Sequence, residues 1–252
     1  MATVELKNVS KIFRQKGGDE VHAVRDLNLT IADKELVVLL GPSGCGKTTA
    51  LRLIAGLETV SAGDITIDGA NMNEVPPQDR DIAMVFQRDA LYPHMTVFEN
   101  MAFGLTLRKI SKPEIKTRVQ SAAETLGIAS LLARHPRALS GGERQRTALG
   151  RALVRKPKVL LLDEPLSQLD RPLRAQLRTE IARVQRSLGI TMLYVTHDQR
   201  EAATLGRRIA VMNEGVLQQV AELETLQHHP ANRFVAEFLS HCGSQFPSRA
   251  EN

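Results

Sequence analysis

Cysteine, aromatic residues and long apolar runs are all scarce in this 252-residue chain. The two cysteines, Cys45 and Cys242, have a spacing that fits neither a zinc site nor a disulfide framework, so we expect a reducing compartment. No apolar run approaches the roughly 18 residues that cross a bilayer, and the first residues lack the layout of a secretory signal. A role in a membrane process would therefore require docking onto another polypeptide.

Charge of one sign is also in small excess. Lys and Arg number 33 against 28 Asp and Glu, a net charge of +5, which permits an anionic partner such as nucleic acid, phosphate or lipid without selecting one. Hydrophobic residues make up 42% and charged residues 24%, which excludes a disordered or collagen-like chain. At this length one substantial core with a smaller lobe can form without disulfide or metal staples.

Hydrophobic patterning predicts an α/β fold with a largely parallel sheet. Fully apolar runs indicate buried strands at residues 36–40, 82–86, 159–162 and 191–195. Helical spacing alternates with these runs at residues 47–55, 142–153 and 172–188. Alternating residues 4–9 and 64–68 predict an N-terminal antiparallel β part, whereas residues 90–155 read as an inserted α-helical subdomain, with helices at 97–107 and 112–126.

A phosphate loop (Walker A pattern, G-x-x-x-x-G-K-[ST]) lies between a predicted strand and a predicted helix: Gly41, Pro42, Ser43, Gly44, Cys45, Gly46, Lys47 and Thr48. Its glycines let backbone N–H groups surround phosphate oxygens, and the helix start presents its positive end to the same anion. We expect Lys47 to reach the β- and γ-phosphates, Thr48 to bind Mg²⁺ and Thr49 to contact the α-phosphate. The flanking elements argue against the alternative, a chance glycine-rich turn.

Two carboxylates, Asp163 and Glu164, follow the predicted strand at residues 159–162, where α/β sheets carry their ligand chemistry. We expect Asp163 to hold Mg²⁺ through a coordinated water, and Glu164 to act as general base or to position the water that attacks the γ-phosphate. Acids at a strand end are by themselves more often solvating groups. The phosphate loop upstream is what favours the functional role.

Residues 139–146, here called the signature segment, read Leu-Ser-Gly-Gly-Glu-Arg-Gln-Arg. Ser140 predicts a helix N-cap, and Gly141 and Gly142 open a helix whose N–H groups and dipole form a second anion site. A capped helix start without a ligand is the alternative. Together with the two nucleotide motifs, this segment resembles the signature of the ATP-binding-cassette (ABC) family, and the resemblance spans residues 3–240.

That resemblance implies a phosphate-loop nucleotide hydrolase core in a single nucleotide-binding domain, residues 1–240, with residues 241–252 a frayed tail. It implies an ATPase that produces ADP and phosphate. It also implies a head-to-tail dimer with a second copy of the chain or with a similar ATPase subunit. In this dimer ATP lies between the phosphate loop of one subunit and the signature segment of the other, because one subunit cannot easily enclose a nucleotide with both surfaces.

Three further positions take roles from the resemblance. Gln87 is similar to the glutamine that touches Mg²⁺ and the attacking water, and His197 to the switch histidine that hydrogen-bonds the γ-phosphate, although a lone strand-end histidine is more often structural. Phe13 is similar to the aromatic residue that stacks on adenine, with core packing as its alternative. The loop before Asp170 departs from the family pattern at Gln168, where Ala or Asn is frequent.

Residues 75–87 and 90–97 resemble importers of sugars and glycerol phosphates, with polyamine, sulfate and iron importers nearby. The resemblance implies a peripheral protein on the cytoplasmic face of the plasma membrane, bound to permease subunits and indirectly to a solute-binding protein. Apolar side chains in residues 91–107 predict both a lobe core and a groove for a permease helix. Sugar-type relatives usually continue after Phe238 into a β-rich regulatory domain, which we do not expect in these 252 residues.

Three other classes of protein compete with this interpretation. A soluble ABC-type ATPase acting on nucleic acid or ribosomes would carry a long coiled-coil insertion or two cassettes, but Lys47 and Asp163 are only 116 residues apart. A phosphate-loop kinase or GTPase is disfavoured by the signature segment and by the lack of an Asn-Lys-x-Asp motif. A non-hydrolysing cassette would have lost Lys47, Glu164 or His197. We therefore expect no nucleic-acid partner.

Overall fold

A computed structural model describes residues 2–14, 18–87 and 90–240. Its strands are β1 Val4–Arg14, β2 Glu20–Ile31, β3 Leu36–Leu40, β4 Ala62–Ile67, β5 Ala70–Asn71, β6 Ile82–Val85, β7 Val159–Asp163, β8 Thr191–Thr196, β9 Arg208–Asn213 and β10 Val216–Ala221. Its α-helices are α1 Lys47–Ala55, α2 Val97–Leu107, α3 Lys112–Thr125, α4 Gly141–Leu153, α5 Arg171–Leu188, α6 Gln199–Leu205, α7 Leu223–His228 and α8 Arg233–Ser240. Short 3₁₀ helices occupy Pro77–Asp79, Ala129–Leu131 and Pro136–Ala138.

The described residues form two compact units, one drawn from residues 1–80 and 191–240 and the other from residues 81–190. In the first unit β1 pairs antiparallel with β2 and β4, and β4 pairs with the short β5. A second set of strands pairs β3 in parallel with β8 and β9, and β9 antiparallel with β10. The N-terminal antiparallel part and the parallel core of the predicted α/β fold are both confirmed.

Burial explains why β3 is apolar from end to end. Every residue of β3 and of β8 is buried, as expected for strands whose two faces are both covered. Helix α1 follows β3 and ends at Gly56, which adopts φ 74° and closes the last turn. The buried guanidinium of Arg80 donates to the carbonyls of Leu53 and Ile54 at 2.8 and 2.9 Å, so a cation satisfies the carbonyl end of this helix.

In the second unit, β6 and β7 pair in parallel, and four α-helices accompany them. Helix α2 runs over residues 97–107, the bounds that helical spacing predicts. It begins with a capping box, in which the Thr96 hydroxyl accepts from the Glu99 N–H and the Glu99 carboxylate accepts from the Thr96 N–H. Over the described part of residues 90–153, the regular elements are helices.

The loop before α2 is held by a fully buried amide. Asn100 accepts from the N–H of Tyr92 and donates to the carbonyls of Tyr92, Met95 and Thr96, all within 2.8–3.1 Å. Val97 and Met101 of α2 belong to the core, whereas Tyr92 in the loop is exposed. Phe86, which precedes this loop, is exposed as well. The apolar stretch thus combines core packing with an exposed aromatic edge.

Several elements were not predicted from the sequence. Strand β1 continues past residue 9 to Arg14, with register shifts against β2, and the strand prediction at 4–9 was too short. Strands β2, β9 and β10 and helices α6, α7 and α8 were missed. Residues 241–252, the predicted tail, lie outside the described residues. Within the described part of the chain, no helix has the length and apolarity to cross a lipid bilayer.

Candidate functional site

The phosphate loop connects β3 to α1, as the sequence predicts, and its shape depends on glycine. Gly46 adopts φ 100°, and a Cβ atom there would lie 2.2 Å from the carbonyl oxygen of Ala23. At Gly41 an added Cβ would lie 2.2 Å from the carbonyl oxygen of Met212. The loop therefore keeps bare backbone at the first turn of α1, and that geometry suits a polyphosphate.

Lys47 lies inside this loop with 4% of its surface exposed. Its ammonium donates to the carbonyls of Gly41 and Pro42 at 2.9 and 2.7 Å and contacts the Cys45 sulfur at 3.7 Å. Burial raises the pKa of the Cys45 thiol, so this cysteine packs as a neutral group. A cation bonded to backbone carbonyls and a thiol can exchange these bonds for phosphate oxygens when a nucleotide enters.

His197 lies next to the phosphate loop because of strand register. In the parallel pair β3–β8, Leu40 is opposite Thr196, so Gly41 and His197 both follow directly at the carboxyl ends of adjacent strands. His197 is exposed, whereas the residues before it in β8 are buried. Adjacent strands thus bring together the predicted phosphate loop and the predicted switch histidine, at the edge where open α/β sheets bind ligands.

Phe13 lies on β1 and is 36% exposed, so the alternative of core packing is wrong. The ammonium of Lys11 is 4.8 Å from its ring centroid, and Lys11 is itself buried, donating to the Thr59 carbonyl at 2.8 Å and pairing with Glu58 at 3.4 Å. This cation–π contact fixes the ring from one side while leaving surface on which a planar base can stack. Lys11 was not predicted, because it lies between Ser10 and Ile12, beyond the end of the strand predicted at residues 4–9.

Alanine at Phe13 is expected to raise the KM for ATP by about tenfold, because stacking on one aromatic ring contributes about 1–3 kcal/mol per base, and to leave kcat unchanged. Val21 is opposite Phe13 in the β1–β2 register and is similarly exposed at 41%, so Val21→Ala is the matched control. Steady-state ATP hydrolysis by both variants checks this. An equal rise in KM for Val21→Ala would refute stacking at Phe13.

In the second unit, strand register also aligns predicted residues. Val85 of β6 is opposite Leu162 of β7, so Gln87 and Glu164 each lie two residues beyond a paired position, with Asp163 between Leu162 and Glu164. Asp163 is 6% exposed, Glu164 is half-buried and Gln87 is exposed. An amide and two carboxylates therefore lie at the carboxyl ends of these paired strands.

Glu164 has an unusual backbone. Its φ of 42° lies in the left-handed region, which few non-glycine residues adopt. The carbonyl of Glu164 accepts from the N–H of Ser167 at 3.2 Å and from its hydroxyl at 2.9 Å, which closes a turn through Pro165. Strained backbone of this kind occurs at active sites, where it fixes the direction of a side chain.

The signature segment starts α4 with a second capping box. The Ser140 hydroxyl accepts from the Glu143 N–H at 3.3 Å, and the Glu143 carboxylate accepts from the Ser140 N–H at 2.7 Å. These bonds lower the pKa of Glu143. The predicted N-cap is confirmed, and Gly141 and Gly142 form the first turn. Further along α4, Arg146 pairs with Glu180 of α5 at 3.0 Å, which ties the helix to its neighbour.

The oxygen-bearing side chains proposed for Mg²⁺ are a hydroxyl, an amide and a carboxylate, from Thr48, Gln87 and Asp163. Mg²⁺ prefers hard oxygen donors and usually keeps several waters and substrate phosphates as ligands. In the described residues, no cluster of three or more His, Cys, Asp and Glu forms a metal site of its own. The donor chemistry of these three side chains, taken singly, is of the kind that Mg²⁺ accepts.

Comparison with known proteins agrees with these observations. The family described as "ABC transporter" matches residues 24–167. The ABC transporter ATP-binding protein YurJ of Bacillus subtilis is 56% identical over 246 residues, covering 98% of this chain and 66% of YurJ. The trehalose/maltose import ATP-binding protein MalK of Thermococcus litoralis is 57% identical, covering 95% of this chain and 64% of MalK. The chain thus spans about two thirds of the length of the curated relatives it matches.

Two further comparisons extend this result. The osmoprotective compounds uptake ATP-binding protein GgtA of Synechocystis is 57% identical, covering 98% of this chain and 66% of GgtA. Among solved structures, the ATP-binding cassette MJ0796, in a dimeric post-hydrolysis state with ADP and Pi, has a TM-score of 0.78 at 30% identity, covering 87% of this chain and 98% of that one. The chain belongs to the ABC transporter family and carries its ATPase cassette.

Proposed function

We propose that this chain is the ATP-hydrolysing subunit of an importer, and that it powers uptake of a small organic solute through membrane partner subunits. The observation that carries the proposal is the phosphate loop, whose buried Lys47 and bare backbone lie beside His197 at the carboxyl ends of β3 and β8. We further propose that residues 1–240 act as one cassette, with residues 90–155 as its helical subdomain.

In this proposal each described group has a defined task. Lys47 and the N–H groups that start α1 bind the β- and γ-phosphates of the substrate ATP. Glu164 accepts a proton from the attacking water, His197 hydrogen-bonds the γ-phosphate and Gln87 orients the water. Thr48, Gln87 and Asp163 would hold Mg²⁺, which would neutralise charge on the phosphates. Phe13 stacks on the adenine.

The signature segment supplies the second half of the proposed site. The exposed Ser140 and the glycine N–H groups after it present the positive end of α4 to an anion. In the proposed head-to-tail dimer, this helix start binds the γ-phosphate held by the other copy, so each ATP lies between two chains. The dimeric state described for the cassette MJ0796 with ADP and Pi supports this arrangement.

The transport proposal rests on the relatives and on one exposed surface. MalK and GgtA are described as serving import of trehalose or maltose and uptake of osmoprotective compounds, so we propose a sugar or a related polar solute as cargo. Exposed Phe86 and Tyr92 offer an aromatic edge for a permease helix. The chain would then lie on the cytoplasmic face of the membrane, held there by the permease. A solute-binding protein would affect the chain indirectly, through the permease.

Release of phosphate from Mg–ATP by the purified chain tests the proposal. We expect turnover that requires Mg²⁺ and that neither DNA nor RNA stimulates. Turnover that depends on added nucleic acid would contradict the transport role and favour a soluble ATPase of the same family. Absence of turnover by the chain, both alone and with its permease, would contradict hydrolysis itself.

The two capping boxes of the second unit provide a matched pair of variants. Ser140→Ala and Thr96→Ala each remove the hydroxyl that caps a helix, so each is expected to lower the free energy of unfolding by about 1 kcal/mol. Only Ser140→Ala is expected to lower ATP turnover, by on the order of tenfold, because only its helix start faces the γ-phosphate in the proposed dimer. Thermal or chemical unfolding and phosphate release measure the two effects. Equal turnover in the two variants would contradict the second anion site.

A further inference from the structure

A buried polar cluster lies directly beneath His197. Tyr194, Thr196 and Glu201 are 0%, 2% and 3% exposed. A single carboxylate oxygen of Glu201 accepts two hydrogen bonds, from the Tyr194 hydroxyl at 2.9 Å and from the Thr196 hydroxyl at 2.7 Å. Tyr194 and Thr196 are two residues apart on β8 and therefore point to the same face of the strand.

The hydrogen bonds continue past His197 along the backbone. The Thr196 hydroxyl accepts from the N–H of Asp198 at 2.9 Å while donating to Glu201, so it uses both of its functions. The carboxylate of Asp198 in turn caps α6, accepting from the N–H groups of Arg200 and Glu201 at 2.8 and 3.4 Å. His197 thus lies between Thr196 and Asp198, and hydrogen bonds of the same cluster hold both of these neighbours. Glu201 follows about one helical turn later.

A cluster of this kind is costly to bury, because a carboxylate and two hydroxyls lose their hydration and each must find partners of good geometry. Apolar side chains of similar size would fill the same space, as they do at Met192, Leu193 and Val195 of β8. Apolar packing would not supply the hydrogen bond that the Thr196 hydroxyl accepts from the N–H of Asp198, on the other side of His197. The cluster therefore specifies the path of the chain through residues 196–198.

We propose that Glu201 is a positioning residue for ATP hydrolysis: through Thr196 it holds the His197 backbone beside the phosphate loop, in the orientation that the γ-phosphate requires. This inference rests on the proposed function. Leu40 lies opposite Thr196, so a shift of Thr196 moves His197 relative to Gly41. Small displacements of catalytic groups lower the rate of the chemical step more than substrate binding, which the rest of the phosphate loop maintains.

Two conservative variants test the proposal by ATP hydrolysis. Thr196→Val keeps the shape of the side chain and removes both hydrogen bonds, so kcat should fall by about tenfold while the KM for ATP stays within about twofold. Thr191→Val is the matched control: Thr191 begins the same strand, is 1% exposed and accepts from the Lys34 N–H at 2.9 Å. It should lower the melting temperature, because it also removes a buried hydroxyl, and leave kcat unchanged.

The His197→Ala background separates positioning from a general loss of structure. If the cluster acts through His197, adding Thr196→Val to His197→Ala causes no further fall in kcat, because the group that is positioned is already absent. Glu201→Gln keeps a carbonyl oxygen that can accept hydrogen bonds from both hydroxyls, so its kcat should stay within about twofold of that of the unchanged chain. Glu201→Leu has no such oxygen and should behave like Thr196→Val.

Each of three results would overturn the inference. Unchanged kcat in Thr196→Val, an equal loss of kcat in Thr191→Val, or a further loss in the His197→Ala background would assign the cluster to stability alone. Failure of the proposed function has a different pattern. If His197→Ala itself keeps the kcat of the unchanged chain, the role of His197 is wrong and the positioning inference falls with it.

Discussion

Glutamine in place of Glu164 is expected to slow ATP hydrolysis by on the order of 100-fold or more, because an amide cannot take a proton from the attacking water. ATP binding should persist, since the phosphate loop is untouched. The substitution keeps the size of the side chain and the turn closed by Ser167, so the φ of 42° at position 164 is retained. In the proposed dimer, the slowed step leaves ATP between two chains, and the variant should form a stable dimer when ATP is added.

Phosphate release and size-exclusion chromatography with light scattering measure these two effects. Glu214→Gln is a suitable control, because Glu214 is also a glutamate with positive φ, 46°, and is exposed between β9 and β10. We expect it to hydrolyse ATP like the unchanged chain and to accumulate no stable dimer when ATP is added. Undiminished turnover in Glu164→Gln would remove Glu164 from the chemistry.

Methionine in place of Lys47 is expected to weaken ATP binding by about 10- to 100-fold, the usual value of a charge-assisted hydrogen bond, and to lower turnover further. Methionine fills most of the same volume but has no charge. Because the ammonium is buried with 4% exposure and donates to two backbone carbonyls, its removal should also lower the free energy of unfolding without nucleotide, by about 1–3 kcal/mol. Lost affinity is therefore measured on chain that is still folded.

Titration with ATP, followed by calorimetry, measures the affinity, and a thermal melt without nucleotide measures the stability. Lys116→Met removes the same charge from the exposed face of α3 and should leave both quantities unchanged. If Lys47→Met bound ATP as tightly as the unchanged chain, the phosphate loop would not be the nucleotide site.

The parts of the fold that sequence predicted well are those whose signal is strong and local. The run at residues 36–40 is wholly buried as β3, and the strand, glycine loop and helix around Lys47 follow one another as the motif requires. Helix α2 has its predicted bounds because Thr96 and Glu99 form a capping box at its start. Strand register then places predicted site residues side by side. Gly41 and His197, for example, directly follow the paired residues Leu40 and Thr196.

The missed elements have weak local signals. Strand β10 has no buried residue, and the first half of β2 is largely exposed, so neither shows the apolar run or clean alternation that marks a strand. Their pairing partners, β9 and β1, determine them instead. Glu201 and Lys11 were missed for a related reason: a charged residue in a sequence is read as exposed, and only the folded neighbourhood reveals that Glu201 and Lys11 are buried.

In the proposed dimer each ATP site is completed by a second copy of the chain, and mixing two inactive variants tests this arrangement most directly. Lys47→Met disables phosphate binding by the phosphate loop, and Ser140→Arg blocks the signature segment with a bulky side chain. Random pairing of the two makes half of the dimers mixed, each with one intact site, so the mixture should regain about a quarter of the turnover of the unchanged chain. Turnover that stays at the average of the two variants measured separately would contradict this arrangement.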